Sequence, residues 1–126
     1  MLDNKKILLI DDSKFDNLIN AKLIQTEFKN TQVQAFFSAN EALQFLKDNQ
    51  FNEEELPDIL FVDIRMPEMD GFEFMDSFGQ LSPTLKEKCK VFILTSSIDP
   101  GDKTRAEQNP NVLKFLNKPL SCKDLV

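Results

Sequence analysis

A short apolar run that ends abruptly on an aspartate constrains this sequence more than any other feature. The run occupies residues 59–62 (ILFV) and leads directly into Asp63, within the longer segment PDILFVDIRMPEMDG at residues 57–71. A proline and an Asp-Gly pair follow, a composition that is typical of a turn and a helix start. A run bounded in this way predicts a buried strand of a parallel sheet, and such sheets bind ligands at the carboxyl ends of their strands. Asp63 is therefore either a functional carboxylate or a cap for the turn that follows it.

Five predicted strands alternate with segments of helical spacing along the chain. The predicted strands cover residues 6–10, 31–37, 59–62, 90–94 and 112–116. This alternation predicts a parallel sheet with helices on both faces, and right-handed crossovers restrict it to a doubly wound topology. We therefore expect an α/β fold of the flavodoxin-like class, whose five-stranded parallel sheet has the order 2-1-3-4-5. A length of 126 residues suits one such domain, covering residues 1–126.

Local signals predict where the helices begin. Residues 14–29 carry apolar side chains at helical spacing, namely Phe15, Leu18, Ile19, Leu23, Ile24 and Phe28. Ser38 and Glu41 form a capping-box pattern that opens a second helix. Asp70 is the expected N-cap of a third helix, and Asp99, which a proline follows, opens a short fourth helix.

Polar residues stand at the carboxyl ends of several predicted strands, which meet at one edge of the sheet. They are Asp11 and Asp12 after the first strand, Asp63 after the third, Thr95 after the fourth and Lys118 after the fifth. Three clustered carboxylates all remain ionised only with a cation among them. The chain contains no histidine, so a hard, oxygen-ligated ion such as Mg²⁺ is favoured over zinc or copper. A lysine and a hydroxyl beside such an ion would hold a phosphoryl group, and a carboxylate nucleophile would form an acyl phosphate.

Composition and charge exclude several classes of function. The net charge is −6 and there is no run of lysine or arginine, so we expect no direct binding to nucleic acid. No apolar stretch approaches the ~20 residues of a membrane span, and the first residues lack a signal-like apolar segment, so we expect a cytoplasmic protein without membrane contact. The two cysteines, Cys89 and Cys122, are too few for a zinc site or a disulfide framework, and we expect both to be structural.

Together these segments resemble the receiver domain of bacterial two-component response regulators. The acidic pair after the first strand, the DIRMPEMDG segment, LTS after the fourth strand and KP after the fifth occur in that family's order and spacing, between residue 5 and about residue 120. The resemblance implies that Asp63, itself a metal ligand, accepts a phosphoryl group. It implies that Asp12 binds Mg²⁺ directly and that Asp11 acts mostly through a bound water. The backbone carbonyl of Arg65 is the further metal ligand that it implies.

The same resemblance implies a switch at the ends of the fourth and fifth strands. Thr95 would be the hydroxyl that moves onto the phosphoryl group, and Lys118 would pair with the phosphate or with Asp63. Phe115 takes the switch-aromatic position, but it lacks the hydroxyl of the tyrosine that is common there, so any inward movement would depend on packing. The peptide bond between Lys118 and Pro119 is expected to be cis.

Two polar residues line the mouth of the family's pocket. Arg65 and Ser97 lie two residues beyond Asp63 and Thr95. Arg65 is either a contact of the phosphoryl group or the attacking water, or a solvated surface side chain. In the first case, Arg65→Ala would change the lifetime of the acyl phosphate.

The end of the sequence departs most from the family's pattern. After Pro119 only LSCKDLV remains, where the family has a full fifth helix. We expect that helix to be incomplete, so that apolar surface on the fifth strand and the first helix is open to water unless a partner covers it. The family uses the face of its fourth helix, fifth strand and fifth helix for output and dimerisation, and we expect any homodimer to use what remains of that face.

We therefore predict a receiver domain that takes a phosphoryl group, with Mg²⁺, from a sensor histidine kinase or a histidine phosphotransfer protein onto Asp63. It would signal to a downstream protein, and its only catalysis would be its own phosphorylation and dephosphorylation. One alternative is an aspartyl-phosphate hydrolase of the haloacid-dehalogenase type, which normally has a second aspartate where this chain has Arg65. The other is an unphosphorylated interaction module, which usually lacks the acid pair, the acceptor or the lysine, all present here.

Overall fold

The computed structural model describes residues 2–125, and within that range five parallel strands form one sheet. The strands are β1 (Lys6–Ile10), β2 (Gln32–Phe36), β3 (Ile59–Val62), β4 (Lys90–Thr95) and β5 (Val112–Asn117). They pair in the order β2-β1-β3-β4-β5, and every pair is parallel. The predicted flavodoxin-like fold and strand order are therefore confirmed. Each strand lies within one residue of its predicted bounds.

Helices and short 3₁₀ turns connect the strands. In the described part of the chain they are α1 (Lys14–Glu27), α2 (Ala39–Asn49), α3 (Gly71–Phe78), α4 (Pro83–Lys88), α5 (Pro100–Glu107) and 3₁₀ turns at Glu53–Glu55 and Cys122–Leu125. The short helix α4 was not predicted, because its six residues are too few to show helical periodicity. The helix that Asp99 opens is therefore α5, and the tail forms one 3₁₀ turn where the start of a helix was expected. Between residues 2 and 125, no helix is both long and apolar enough to span a bilayer.

The predicted helix starts are confirmed by hydrogen bonds at their N-caps. The hydroxyl of Ser38 accepts a hydrogen bond from the backbone N–H of Glu41 at 3.2 Å. Asp70 and Glu73 form a complete capping box, in which each carboxylate accepts from the backbone N–H of the other residue. The carboxylate of Asp99 caps α5 through a backbone N–H of its first turn. These caps satisfy N–H groups that have no partner within the helix.

The central strands β1 and β3 are buried on both faces of the sheet. In β1, Leu8 and Ile10 join an apolar cluster with α2, α3, α4 and α5, whereas Ile7 and Leu9 join a second cluster on the side of α1. This division follows from the alternation of side chains along a strand. The two layers hold β1 and β3 side by side, so that the residues after each strand emerge together.

Helix α1 does not turn all of its apolar residues towards the sheet. Its buried residues are Asn17, Asn20 and Ile24, whereas Phe15 and Leu18 are 69% and 67% exposed. Asn17 takes an inner position because its amide donates to the backbone carbonyl of the residue after β1, at 2.9 Å. Apolar surface on α1 is therefore open to water, as predicted.

Cys89 is a buried, structural cysteine, as expected. Its thiol donates to the backbone carbonyl of Pro57 at 3.1 Å, and burial raises its pKa to about 12. A thiol with so high a pKa forms little of the reactive thiolate at neutral pH. The prediction for the side chain of Cys122 lies outside the described residues.

Asp58, the residue before β3, connects that strand to the start of β1 and to the end of α4. Its carboxylate accepts hydrogen bonds from the backbone N–H of Lys6 at 2.9 Å and from the ammonium of Lys88 at 2.5 Å. Burial alone would raise the pKa of Asp58, but these two donors lower it below the ordinary value of 3.8. The resulting contribution to stability is present above that ordinary value and is lost as the pH falls through the lowered pKa.

Asp58→Asn is expected to lower the free energy of unfolding at neutral pH by about 1 kcal/mol, because the charge-assisted bond to Lys88 is weakened. The difference from the wild-type protein should shrink below about pH 4, where the wild-type carboxylate also becomes protonated. Urea unfolding of both proteins across a pH series measures this difference. Asp76→Asn, at an exposed position of α3, is the matched control and should change little. A difference that stays constant across the series would contradict the prediction.

Candidate functional site

The carboxyl ends of β1 and β3 bring three aspartates together. Ile10 pairs with Val62 in the sheet, and the N–H of Asp63 donates to the carbonyl of Ile10 at 2.9 Å. Asp11 and Asp63 are only 4% and 7% exposed, whereas Asp12 is exposed. One carboxylate oxygen from each aspartate lies within 4.8 Å of the other two. The predicted acidic cluster is therefore assembled as the strand order requires.

Lys118 supplies a positive charge to this cluster from the end of β5. Its ammonium nitrogen lies 2.5 Å from Asp11 Oδ2, 2.8 Å from Asp16 Oδ2 and 3.2 Å from Asp63 Oδ2. An ammonium has three N–H donors, so each donor has a carboxylate acceptor. Burial alone would lower the pKa of Lys118, but the carboxylates of Asp11 and Asp16 raise it overall. The lysine is therefore a permanent cation at neutral pH.

Asp16 is a fourth carboxylate of the site, and the sequence analysis missed it. It lies in the first turn of α1 rather than at the end of a strand, and its backbone N–H donates to the N-cap hydroxyl of Ser13 at 3.2 Å. One signal in the sequence could have identified it. Ser13, a candidate helix cap, directly follows the Asp11-Asp12 pair, and Asp16 is an acidic residue three positions after that cap.

The buried position of Asp11 makes the cluster receptive to a further cation. Burial raises the pKa of Asp11, and the charge of Asp63 adds to that increase. The hydrogen bonds from Lys118 and from the backbone N–H of Ser13 lower the pKa, but they do not cancel the effect of burial. A hard divalent cation would favour the ionised form of these carboxylates. The donor set, three carboxylates and no nitrogen or sulfur, fits Mg²⁺ or a similar ion.

Gly71, the first residue of α3, packs against the backbone of the segment that follows β3. The N–H of Gly71 donates to the carbonyl of Ile64 at 2.9 Å. A Cβ at position 71 would lie 2.4 Å from the backbone carbonyl oxygen of Asp63. The Oδ1 atom of Asp63 accepts a hydrogen bond from the N–H of Ile64 at 2.8 Å, so that Oδ2 is the oxygen that contacts Lys118. The backbone thus orients the carboxylate, and only glycine leaves room for it to do so.

The ends of β4 and β5 carry the predicted switch residues. Thr95 is fully buried, and its Oγ1 accepts a hydrogen bond from the backbone N–H of Ser97 at 3.2 Å. Its carbonyl accepts from the backbone N–H of Lys118 at 2.9 Å, which connects the two strand ends. Phe115 is half-buried and packs against the larger apolar cluster. The bond between Lys118 and Pro119 is cis.

Arg65 forms an ion pair that the sequence did not predict. Its Nη2 lies 2.6 Å from Oδ2 of Asp102, in the first turn of α5. The same oxygen accepts a hydrogen bond from the hydroxyl of Ser97 at 2.6 Å. Arg65 was expected either to contact the phosphoryl group or water or to be solvated. Although 63% of its side chain is exposed, its guanidinium is held by a carboxylate that is only 12% exposed. The sequence does contain a signal for Asp102. It is an acidic residue in the first turn of the helix that follows LTSS, at residues 94–97.

Known proteins are similar to this chain in both sequence and fold. Residues 7–126 match the family model of the response regulator receiver domain. The sequence is 30% identical over 122 residues to the two-component response regulator ORR1 of Oryza sativa subsp. japonica, and the match covers 95% of this chain and 52% of that protein. The chain therefore spans about half the length of this relative.

Two solved structures show the same architecture. One is a two component response regulator from Cytophaga hutchinsonii, with a TM-score of 0.85 and 33% identity over 95% of this chain and 90% of that chain. The other is the Mn(2+)-bound form of response regulator Rcp1, with a TM-score of 0.77 and 28% identity over 96% of this chain and 86% of that chain. Among these neighbours, therefore, one was crystallised with a divalent cation.

Proposed function

This chain belongs to the response regulator receiver domain family of two-component signalling, and from this premise we propose that it is a switch whose acceptor, Asp63, takes up a phosphoryl group with Mg²⁺. The observation that carries the proposal is the contact of 3.2 Å between Asp63 Oδ2 and the ammonium of Lys118. It is made beside a cluster of three carboxylates within 4.8 Å of one another. A nucleophilic oxygen, a cation and a site for a divalent ion are thus adjacent.

The proposed reaction transfers a phosphoryl group from a phosphohistidine of a partner protein. Asp63 Oδ2 attacks the phosphorus, the P–N bond breaks, and its electron pair returns to the imidazole, which takes up a proton from solvent. Lys118 exchanges its contact with Asp63 Oδ2 for a contact with a phosphoryl oxygen. Asp12, Asp63 and the backbone carbonyl of Arg65, with Asp11 acting mostly through a bound water, would hold Mg²⁺, and the ion would neutralise charge on the phosphoryl oxygens. Hydrolysis of the acyl phosphate later restores the carboxylate.

The phosphoryl group would shift the equilibrium between two preformed arrangements of the ends of β4 and β5. The Thr95 hydroxyl accepts from Ser97, so its own hydrogen can be donated to a phosphoryl oxygen. Movement of Thr95 would carry the segment after β4 with it and leave space for the half-buried ring of Phe115. A ligand shifts such an equilibrium only by its differential interaction with the two states. The bond from Thr95 is that differential interaction.

The proposed partners follow from this chemistry. The phosphoryl donor would be a sensor histidine kinase or a histidine phosphotransfer protein, and the output would be a contact with a downstream protein in the cytoplasm. The face of α5 and β5, where Leu113 is exposed, is the proposed surface for output or for a homodimer.

Intact mass spectrometry after incubation with Mg²⁺ and acetyl phosphate tests the proposed function. We expect one phosphoryl group per chain, removal of that group by hydroxylamine, and no adduct when EDTA replaces Mg²⁺. Hydroxylamine lability identifies an acyl phosphate, because phosphoserine and phosphothreonine esters resist it. A folded, Mg²⁺-binding protein that takes up no phosphoryl group would contradict the proposal and favour the unphosphorylated interaction module.

A further inference from the structure

We propose that Asp102 is a positioning residue that withholds the guanidinium of Arg65 from the acceptor site and thereby shortens the lifetime of the acyl phosphate. The inference rests on the proposed function, and it concerns a residue outside the acidic cluster. It identifies a means by which this chain sets the duration of its own signal.

The geometry joins three segments at one carboxylate oxygen. Oδ2 of Asp102 accepts from Arg65 Nη2 and from Ser97 Oγ, both at 2.6 Å. Arg65 lies two residues after Asp63, and Ser97 lies two residues after Thr95. The loops after β3 and β4 are therefore both tied to the first turn of α5.

Asp102 is well suited to retain a cation. It lies at a helix N-terminus, where the helix dipole favours negative charge, and its carboxylate is mostly screened from solvent. Charge-assisted bonds in such surroundings are short and strong. The bond from Ser97 fixes the orientation of the carboxylate independently of Arg65. Among the hydrogen bonds of the described residues, those of the Asp63 carboxylate come from Ile64 and Lys118, so Arg65 is engaged elsewhere.

A phosphoryl group on Asp63 would compete with Asp102 for this guanidinium. Hydrolysis requires that a water oxygen attack the phosphorus, that the bond from phosphorus to the Asp63 oxygen break with its electron pair returning to the carboxylate, and that a proton leave the water. A guanidinium seated on the phosphoryl oxygens would occupy the approach of that water. While Asp102 retains Arg65, the approach stays open and the acyl phosphate is short-lived.

Asp102→Asn removes the charge but keeps the size of the side chain and an oxygen for Ser97. We expect the half-life of the acyl phosphate, followed by intact mass after removal of acetyl phosphate, to increase about three- to tenfold, within the range of couplings between residues in contact. Arg65→Ala alone should change the half-life less, because Arg65 is already withheld. In the Arg65→Ala background, Asp102→Asn should have no effect. Glu107→Gln, at an exposed position at the other end of α5, is the matched control.

Two outcomes of these lifetime measurements would overturn the inference and leave the proposed function intact. One is a normal adduct whose half-life Asp102→Asn leaves unchanged. The other is an increase that persists in the Arg65→Ala background, since the effect would then pass through Ser97 and the segment after β4.

A measurement on the unphosphorylated chain separates this inference from the proposed function. Nitrogen-15 NMR should show restricted rotation of the Arg65 guanidinium in the wild-type protein and free rotation in Asp102→Asn. Equal rotation in both proteins would overturn the inference, whether or not Asp63 is phosphorylated. A restricted guanidinium in a wild-type protein that takes up no phosphoryl group would contradict the proposed function itself, and the inference would fall with it.

Discussion

Asp63→Asn is expected to reduce the uptake of a phosphoryl group from acetyl phosphate by at least about 10³-fold, which is loss of a detectable adduct in the intact mass. The amide of asparagine is a far weaker nucleophile than a carboxylate, so the attack on phosphorus fails at its first step. The replacement keeps the shape of the side chain and an oxygen that can accept from the N–H of Ile64, as Oδ1 does now. A lost adduct would therefore report lost chemistry rather than lost structure.

Two controls make this result specific. Asp76→Asn, at an exposed position of α3, should take up one phosphoryl group at the wild-type rate. Asp63→Asn should also be at least as stable as the wild-type protein in urea, because it removes one of two buried carboxylates that repel each other beside Lys118. A hydroxylamine-labile adduct on Asp63→Asn would assign the acceptor role to Asp11 or Asp12 and contradict the prediction.

The fold and most of the acidic site could be predicted because they depend on the ends of strands. Strands buried on both faces are continuous apolar runs, so their ends are marked sharply by the first polar residue. The order of a doubly wound sheet then brings together residues far apart in sequence, as it does for Asp11, Asp63 and Lys118. That placement needs no knowledge of how any helix is rotated.

The residues that the sequence analysis missed all belong to helices. Asp16 and Asp102 each lie in the first turn of a helix, and whether such a side chain faces the site depends on the rotation of that helix. The rotation of α1 did not follow its apolar spacing. A buried amide, Asn17, bonds the carbonyl of Asp11, and an unsatisfied buried carbonyl is costly enough to compete with the burial of an apolar side chain. The rotation of α1 therefore depends on a tertiary hydrogen bond that the apolar spacing of the helix does not reveal.

Gly71→Ala is expected to lower the free energy of unfolding by about 3 kcal/mol, a large effect for the addition of one methyl group. The new Cβ would lie 2.4 Å from the carbonyl oxygen of Asp63 and 2.9 Å from Cα of Ile64. Both contacts are with backbone, which cannot move aside as a flexible side chain does. Either the start of α3 or the segment after β3 must shift. Urea unfolding of the two proteins measures the cost.

Gly79→Ala provides the matched control at the other end of the same helix. Gly79 has helical backbone angles, with φ −60° and ψ −19°, and its new Cβ would come no closer than 3.4 Å to another atom, the side-chain amide of Asn111. Alanine there should be neutral or stabilising by up to about 1 kcal/mol, because it restricts the unfolded chain. Equal stabilities of the two variants would show that the segment after β3 shifts without a cost in free energy. If they differ as expected, Gly71→Ala should also slow phosphorylation, because any shift that relieves the contact moves the backbone that orients the Asp63 carboxylate towards Lys118.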